Sequence, residues 1–142
     1  MTCERQFHEG DKFIRFSNNA GYSLLEERAR ECGVDLQYVQ MVLAFCHWTY
    51  SASGGKLMIV DVEGVATRDE DEGSNSAILL YNPAIHCLNL TRYGHLNHGI
   101  EGMKRFFERH ECNYVCAALR LTKFATGAAS GAPPALFCPL FR

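Results

Sequence analysis

The residues whose types and spacing favour metal chemistry lie mostly near the carboxyl end of this sequence. His110, Cys112 and Cys116 fall within seven positions, and His47 lies upstream among aromatic residues. Two imidazoles and two thiolates form the closed tetrahedral shell that is typical of structural zinc. The set predicts a zinc site that joins distant parts of the chain, with Cys112 and Cys116 on one face of a helix and His110 at its entry.

Other interpretations of the histidines and cysteines stay open. The two cysteines also suit a hydrophobic core beside a surface histidine. His86, His95 and His98 compete as metal ligands. His95 and His98 are three apart, which suits zinc on a helix, but the neighbouring glycines favour a loop with exposed, titrating imidazoles.

A second set of candidate residues lies between the two halves of this cluster. Asp61 ends an apolar run, Glu63 follows two positions later, and Asn82 precedes a proline. Taken alone, Asp61 is equally well interpreted as a turn-forming residue at a strand end. A glycine-rich stretch then precedes a predicted helix and contains Gly94, Asn97 and Gly99. Such glycines also mark ordinary turns, although a helix N-terminus after them favours phosphate.

In their order along the chain, these segments resemble the C-terminal half of the alpha-type protein kinases. That family includes elongation-factor-2 kinase, the myosin heavy chain kinases and the channel-kinases. The resemblance runs from about Gly10 to Leu121, and its main segments are Lys56 to Val65, Tyr81 to His86 and Tyr93 to Gly102. The Asp-Phe-Gly and His-Arg-Asp signatures of conventional kinases are absent. The resemblance implies ATP-dependent phosphorylation of serine or threonine in a protein.

The resemblance also implies roles for the second set. Asp61 corresponds to the catalytic carboxylate that accepts the proton of the substrate hydroxyl. Glu63 and Asn82 stand at the magnesium-ligand positions, where the family has glutamine and aspartate, so the exchange preserves the formal charge of the pair. The loop that positions nucleotide and peptide substrate corresponds to Gly94, Asn97 and Gly99.

Composition argues against other classes of partner. The 142 residues carry a formal net charge of -2 and no basic run, which disfavours nucleic acid. No stretch of about eighteen apolar residues occurs, which disfavours a membrane span. Seven cysteines, an odd number, favour thiols and metal ligation over a disulfide framework. This composition favours a cytoplasmic protein. The resemblance to the alpha-type protein kinases implies that it uses ATP, Mg2+ and a protein substrate, and the histidine and cysteine cluster adds Zn2+.

The elements that must position these residues predict an α+β fold with a small antiparallel sheet and helices. The resemblance implies that this fold is the C-terminal lobe of an alpha-kinase domain, joined by a zinc staple. Lys12 to Phe16 is predicted as a strand and Leu24 to Cys32 as a helix that ends at Gly33. Gly99 to His110 has the apolar spacing of an amphipathic helix.

A β-hairpin is predicted in the middle of the chain. Val42 to Ser51 and Lys56 to Val62 are rich in strand-forming residues, and Gly54-Gly55 lies between them. In this hairpin the candidate zinc ligand His47 and the candidate catalytic Asp61 would lie on neighbouring strands.

The predicted domain organisation is a partial alpha-kinase domain over residues 1–121 and a flexible tail rich in Gly, Ala and Pro over 122–142. The sequence starts too late to include the N-terminal lobe of the family, which holds the phosphate-contacting lysine. The expected activity is that of an incomplete catalytic domain. Two alternatives stay open: an inactive, zinc-stabilised kinase remnant that binds proteins, and a gene reading that has lost upstream exons.

Overall fold

The computed structural model describes residues 13–21, 23–24, 26–67 and 77–122. In these ranges the strands are β1 (Phe13–Arg15), β2 (Leu57–Val60), β3 (Glu63–Thr67), β4 (Ala77–Tyr81) and β5 (Ala84–Cys87). The helices are α1 (Glu26–Glu31), α2 (Leu36–Ala52), α3 (Gly99–Arg109) and α4 (Tyr114–Ala118). The predicted tail beyond Thr122 lies outside the described residues.

The strands form two small antiparallel sheets. One has the order β1-β3-β4 and the other pairs β2 with β5. The chain passes from one sheet to the other three times: through α1 and α2 between β1 and β2, and through short connections between β2 and β3 and between β4 and β5. The predicted α+β fold with small antiparallel sheets and helices is confirmed.

The predicted hairpin is wrong, because residues 36–52 form the long helix α2. Asp35 caps its N-terminus, and its side chain accepts a hydrogen bond from Gln37 N at 2.9 Å. Buried positions recur at helical spacing, at Val39, Val42, Cys46 and Thr49. Aromatic and β-branched residues suggested a strand, but burying this stripe in the core outweighs their weak local preference.

Gly54 and Gly55 end this helix and do not turn a hairpin. Both have left-handed backbone, with φ of 62° and 77°. Gly55 N donates to Tyr50 O at 2.9 Å, which satisfies a carbonyl of the last helical turn. His47 therefore lies on a helix, which packs against the strand that precedes Asp61.

Three other predicted elements are present with shifted ends. Strand β1 and helix α1 lie within the predicted ranges, and Gly33 follows α1 with φ of 68°. Helix α3 begins at Gly99 and ends at Arg109. None of the helices in the described part of the chain has the length and apolar character that a membrane crossing requires.

Helices α2 and α3 pack against the sheet of β2 and β5, and α1 and α4 pack against α2. The segment after β1 closes this core beside the connection between β2 and β3. Phe16 N donates to Val62 O at 2.9 Å, and Val62 N donates to Ser17 Oγ at 3.2 Å. The largest buried side chains of the cluster are those of Phe16, Phe106, Met58 and Met103. This packing fixes the backbone on both sides of Asp61.

Candidate functional site

The four predicted zinc ligands converge, and each comes from a different segment. His47 lies on α2, His110 caps the C-terminal end of α3, Cys112 lies in the link to α4, and Cys116 lies on α4. Their ligand atoms all lie within 4.8 Å of one another, and three of the four residues are buried. The cluster therefore ties three helices together at one point.

Two distances in the cluster match the edges of a zinc tetrahedron. Cys112 Sγ lies 3.8 Å from His47 Nδ1, and Cys116 Sγ lies 3.5 Å from His110 Nε2. Tetrahedral zinc, with Zn–S of about 2.3 Å and Zn–N of about 2.0–2.1 Å, places S and N about 3.6 Å apart. The donor set and its spacing fit a zinc ion.

Hydrogen bonding and burial set the protonation states of two of these candidate ligands, His47 and Cys116. His47 Nε2 lies 3.0 Å from Thr122 O, and a proton on Nε2 leaves Nδ1 as the ligand atom. Burial lowers the pKa of His47, which keeps the imidazole neutral. Burial raises the pKa of the Cys116 thiol, so this cysteine needs a cation to become a thiolate.

The predictions that Cys112 and Cys116 share one face of a helix and that His110 lies at the entry of that helix are wrong. Asn113 caps α4, and its side chain accepts from Val115 N and Cys116 N, so Cys112 lies before the helix. Asn113 Nδ2 also donates to Gln40 O at 2.9 Å, which holds this cap against α2. The four ligands meet because an extended link, rather than a continuous helix, carries Cys112 back toward α2.

The competing histidines do not form a second metal cluster in the described ranges. His86, His95 and His98 belong to no group of three or more close potential ligands there. His86 Nδ1 lies 3.1 Å from His98 N and accepts its hydrogen, so that lone pair is occupied.

Asp61 and Asn82 lie in the two short connections between the sheets. The residues on either side of these connections pair with each other, Val60 with Ala84 and Glu63 with Tyr81. The two connections therefore run side by side. Asp61 and Asn82 have left-handed backbone with φ of 55° and 51°, a conformation that Asp and Asn adopt more readily than most residues. Folding thus brings the candidate catalytic residue and a candidate magnesium ligand to one edge.

The Asp61 side chain is only 14% exposed. Its Oδ1 atom is buried and accepts no hydrogen bond within the described part of the chain. Arg15 Nη2 lies 3.8 Å from it, which is an ion-pair distance and not a hydrogen bond. A shielded carboxylate oxygen without a donor is suited to a proton or a metal ion.

Glu63 is held by Arg15, which the sequence analysis did not identify. The two residues face each other in adjacent strands, and Arg15 Nε donates to Glu63 Oε1 at 2.7 Å. Arg15 Nη2 contacts the same oxygen. This hydrogen bond is the main cause of the raised pKa of Arg15. The pKa of Tyr81 is raised by burial, by the charge of Glu63 and by the hydrogen bond between these two side chains.

The glycine-rich stretch is a loop that is organised by the buried side chain of Asn97. Asn97 Oδ1 accepts from Cys87 N and Gly99 N, each at 2.9 Å. Asn97 Nδ2 donates to Asn89 O at 2.9 Å and to Arg92 O at 2.8 Å. Asn97 therefore holds the loop in shape with its whole amide group.

Gly94 and Gly99 supply the left-handed backbone that this loop requires, with φ of 82° and 58°. A Cβ atom on Gly99 would lie 2.6 Å from Leu90 Cδ2, whereas one on Gly94 would meet no atom within 4 Å. Gly99 is thus required by packing and backbone together, and Gly94 by its backbone alone.

His86 connects this loop to the turn after β1. It is fully buried, and its Nε2 lies 3.1 Å from Asn19 O while its Nδ1 faces His98 N. A neutral imidazole with the proton on Nε2 satisfies both contacts. The pKa of His86 is lowered to about 4, mainly by burial and in smaller part by the charges of His98 and Arg105. Gly102 is necessary because a Cβ there would lie 2.4 Å from His86 Nε2.

This burial predicts an acid-sensitive fold. The pKa of His86 rises from about 4 in the folded chain to its ordinary 6.5 on unfolding, so acid favours the unfolded state. Between pH 7 and pH 5 the protein is expected to lose about 2 kcal/mol of stability through this residue. Urea unfolding at both pH values measures the loss.

His86→Gln should remove that part of the acid sensitivity. The matched control is His95→Gln, which changes an exposed histidine of the same loop and should retain it. Both variants keep the four candidate zinc ligands. Any competition between protons and zinc for these ligands therefore affects the two variants equally. An equal acid effect in the two variants would show that His86 does not titrate between the folded and unfolded states.

Comparison with known proteins defines the class to which this arrangement belongs. Residues 1–116 match the Alpha-kinase family. The chain belongs to that family, as the resemblance of its segments predicted.

Curated relatives are much longer than this chain. Alpha-protein kinase vwkA of Dictyostelium discoideum is 39% identical over 83 residues, which are 58% of this chain and 12% of that protein. Eukaryotic elongation factor 2 kinase of Mus musculus is 32% identical over 113 residues, which are 80% of this chain and 13% of that protein. The chain spans about an eighth of the length of these two relatives.

Solved structures show the same fold. An alpha kinase from Entamoeba histolytica superposes with a TM-score of 0.64 and 29% identity, over 84% of this chain and 38% of that one. The alpha-kinase domain of myosin heavy chain kinase A in complex with ADP gives a TM-score of 0.58 and 29% identity, over 78% of this chain and 37% of that one. The chain thus corresponds to little more than a third of these solved chains.

Proposed function

We propose that this chain forms the C-terminal part of an alpha-kinase domain that transfers the γ-phosphoryl group of ATP to serine or threonine in a protein, in the cytoplasm. One observation carries the proposal: the connections that contain Asp61 and Asn82 lie side by side in a chain of the Alpha-kinase family. The solved complex of myosin heavy chain kinase A with ADP supports nucleotide binding by this class. The chain corresponds to little more than a third of the solved chains, so the proposal concerns the part of the nucleotide site that this chain contains.

In this proposal Asp61 is the catalytic base. Its shielded Oδ1, which accepts no hydrogen bond from the described residues, takes the proton of the substrate hydroxyl. The left-handed backbone and the hydrogen bonds of Val62 to the segment after β1 hold the carboxylate in place. Positioning of this kind is the main contribution of protein groups to phosphoryl transfer.

Glu63 and Asn82 are proposed to hold the magnesium ion. Glu63 begins β3 and Asn82 lies in the connection that follows β4. Their carboxylate and amide oxygens are the hard ligands that Mg2+ prefers. When bound, the ion neutralises charge on the phosphate oxygens. Because Arg15 contacts Oε1 of Glu63, this oxygen can serve as a ligand only after the contact opens.

The loop before α3 is proposed to face the phosphates. Helix α3 has eleven residues, and its first backbone N–H groups follow the loop directly. Such an N-terminus favours an anion. Asn97 keeps the loop in this shape from within, and Gly94 and Gly99 permit its backbone.

Zinc is proposed to act structurally through His47, His110, Cys112 and Cys116. A closed shell of four protein ligands leaves no position for a substrate. The ion would fix α2, α3 and α4 relative to one another, and α2 packs against the strand that leads to Asp61. Zinc therefore supports the catalytic edge indirectly.

Transfer of labelled phosphate tests the proposed function in a chimera that joins this chain to the N-terminal lobe of a close relative. Glu63→Gln leaves two neutral amides at the metal positions and is expected to lower magnesium-dependent turnover by about tenfold, or about 1.4 kcal/mol. Adding Asn82→Asp restores one carboxylate and should restore turnover. Non-additivity is expected because the two residues share one ion.

The chimera also separates the proposed kinase from an inactive remnant. Activity in the chimera, rescued by the second substitution, supports the assignment of Glu63 and Asn82. If Glu63→Gln leaves turnover and its magnesium dependence unchanged, Glu63 is not a ligand. If only the double variant transfers phosphate, the natural chain is an inactive remnant.

A further inference from the structure

Arg15 is a cation placed between the two carboxylates of the candidate active site. It donates through Nε to Glu63 at 2.7 Å, and its Nη2 lies 3.8 Å from Asp61 Oδ1. The pairing of β1 with β3 sets this contact, because Arg15 and Glu63 are directly opposite. Glu63 Oε1 is thus occupied by a guanidinium where a metal ion is proposed to bind.

The charges of this group favour competition between Arg15 and a divalent cation. Asp61 and Glu63 together offer two negative charges, and Arg15 reduces their sum to one. Divalent cations are bound more tightly as the ligands contribute more negative charge. A second cation cannot approach Glu63 Oε1 closely while the guanidinium remains there, since like charges repel strongly at a few ångströms.

The contact is built so that it can open. The Arg15 side chain is 54% exposed, and β1 is the edge strand of its sheet. The two carboxylates are much less exposed, at 14% and 20% for Asp61 and Glu63. The guanidinium can therefore turn into solvent while the carboxylates stay in place, and an exposed ion pair of this type contributes little to stability.

We propose that Arg15 is a positioning residue that acts as a latch on the magnesium site. Arg15 holds Glu63 and screens Asp61 while the site has no metal, and it releases them when a divalent cation binds. The inference rests on the proposed assignment of Glu63 to the metal. The latch has a regulatory consequence. It lowers the affinity of the site for divalent cations, because binding requires the Arg15–Glu63 contact to break.

Binding of Mn2+ to the natural 142-residue chain tests the latch without nucleotide or substrate. Free Mn2+ is measured by its electron paramagnetic resonance signal. Arg15→Gln is expected to tighten binding by roughly tenfold, the effect of a unit charge about 6 Å from a divalent ion in a water-like dielectric. Arg15→Lys keeps the charge and should give a much smaller gain. Adding Glu63→Gln to Arg15→Gln should abolish the gain.

Arg28→Gln is the matched control. Arg28 forms an exposed ion pair with Glu31 inside helix α1, so this variant removes the same charge elsewhere and should leave Mn2+ affinity unchanged. Equal gains from Arg28→Gln and Arg15→Gln would mean that overall charge alone sets the affinity. No gain from Arg15→Gln, or a gain that survives Glu63→Gln, would overturn the latch.

A second measurement uses no variant at all. In NMR spectra of the natural chain, the Nε–H signal of Arg15 should move toward that of a solvent-exposed arginine as Mg2+ is added. A signal that stays unchanged at saturating Mg2+ would also overturn the proposal. Because neither measurement involves phosphate transfer, failure of the latch and failure of the kinase assignment can be told apart.

Discussion

Loss of the zinc ion is expected to cost this protein most of its folding free energy. The purified chain should carry about one equivalent of zinc, and chelation or Cys116→Ser should lower its melting temperature by roughly 15 °C or more. The reason is that the proposed metal would join α2, α3 and α4 through candidate ligands that are mostly buried. Without the ion, the two thiols and two imidazoles remain as polar groups in the interior. Calorimetry with and without a chelator measures the effect.

Cys32→Ser is the control for the zinc prediction. Cys32 is exposed and lies outside the cluster, so this variant should bind zinc and melt as the natural protein does. His47→Ala should lose the metal together with stability. Stoichiometric zinc and unchanged stability in His47→Ala would mean that other residues, for instance His95 and His98, assemble the site.

Substitution of Asp61 is expected to have the largest effect on catalysis. In the chimera with an N-terminal lobe, Asp61→Asn should lower turnover by roughly a thousandfold, or about 4 kcal/mol in the activation barrier, because the amide cannot accept the hydroxyl proton. Asparagine also tolerates the left-handed backbone at this position, so the fold should be retained. Steady-state phosphate transfer at saturating ATP measures the loss.

Asp35→Asn is the control, because it makes the same substitution outside the candidate active site. Asp35 caps helix α2, and asparagine is an equally good cap, so neither turnover nor stability should change appreciably. The Asp61→Asn protein should retain its zinc and its melting temperature. Turnover within a few fold of the natural chimera would assign the base to another residue and leave Asp61 as a turn former.

The sequence by itself determined the family and the candidate residues. Motifs in a fixed order predicted the α+β fold, and donor types identified the candidate ligands whose donor atoms the structure brings within 4.8 Å of one another. Candidate metal ligands can be recognised from the sequence because ligation depends on the type of side chain and not on whether a helix, a strand or a loop carries it. Helix α3 was also predictable, since its apolar residues recur with the helical period.

Only the tertiary structure decided the element that carries His47. Residues 42–51 include aromatic and β-branched types that favour strands locally, but their stripe of buried positions meets the core only as a helix. The sequence therefore predicts a hairpin turn at Gly54 and Gly55, where the structure has the end of a helix. The same limitation applies to Cys112, because the cap at Asn113 and its bond to Gln40 O decide where α4 begins.

The electrostatics of the candidate active site also depend on the tertiary structure. Arg15 and Glu63 are 48 positions apart, and only the register of β1 on β3 places them opposite each other. The burial that lowers the pKa of His86 comes from packing against Gly102 and the turn at Asn19. Residue types specify which groups can take a proton or a metal. Their pairing and desolvation depend on distances between segments that are remote in sequence, and the fold sets those distances.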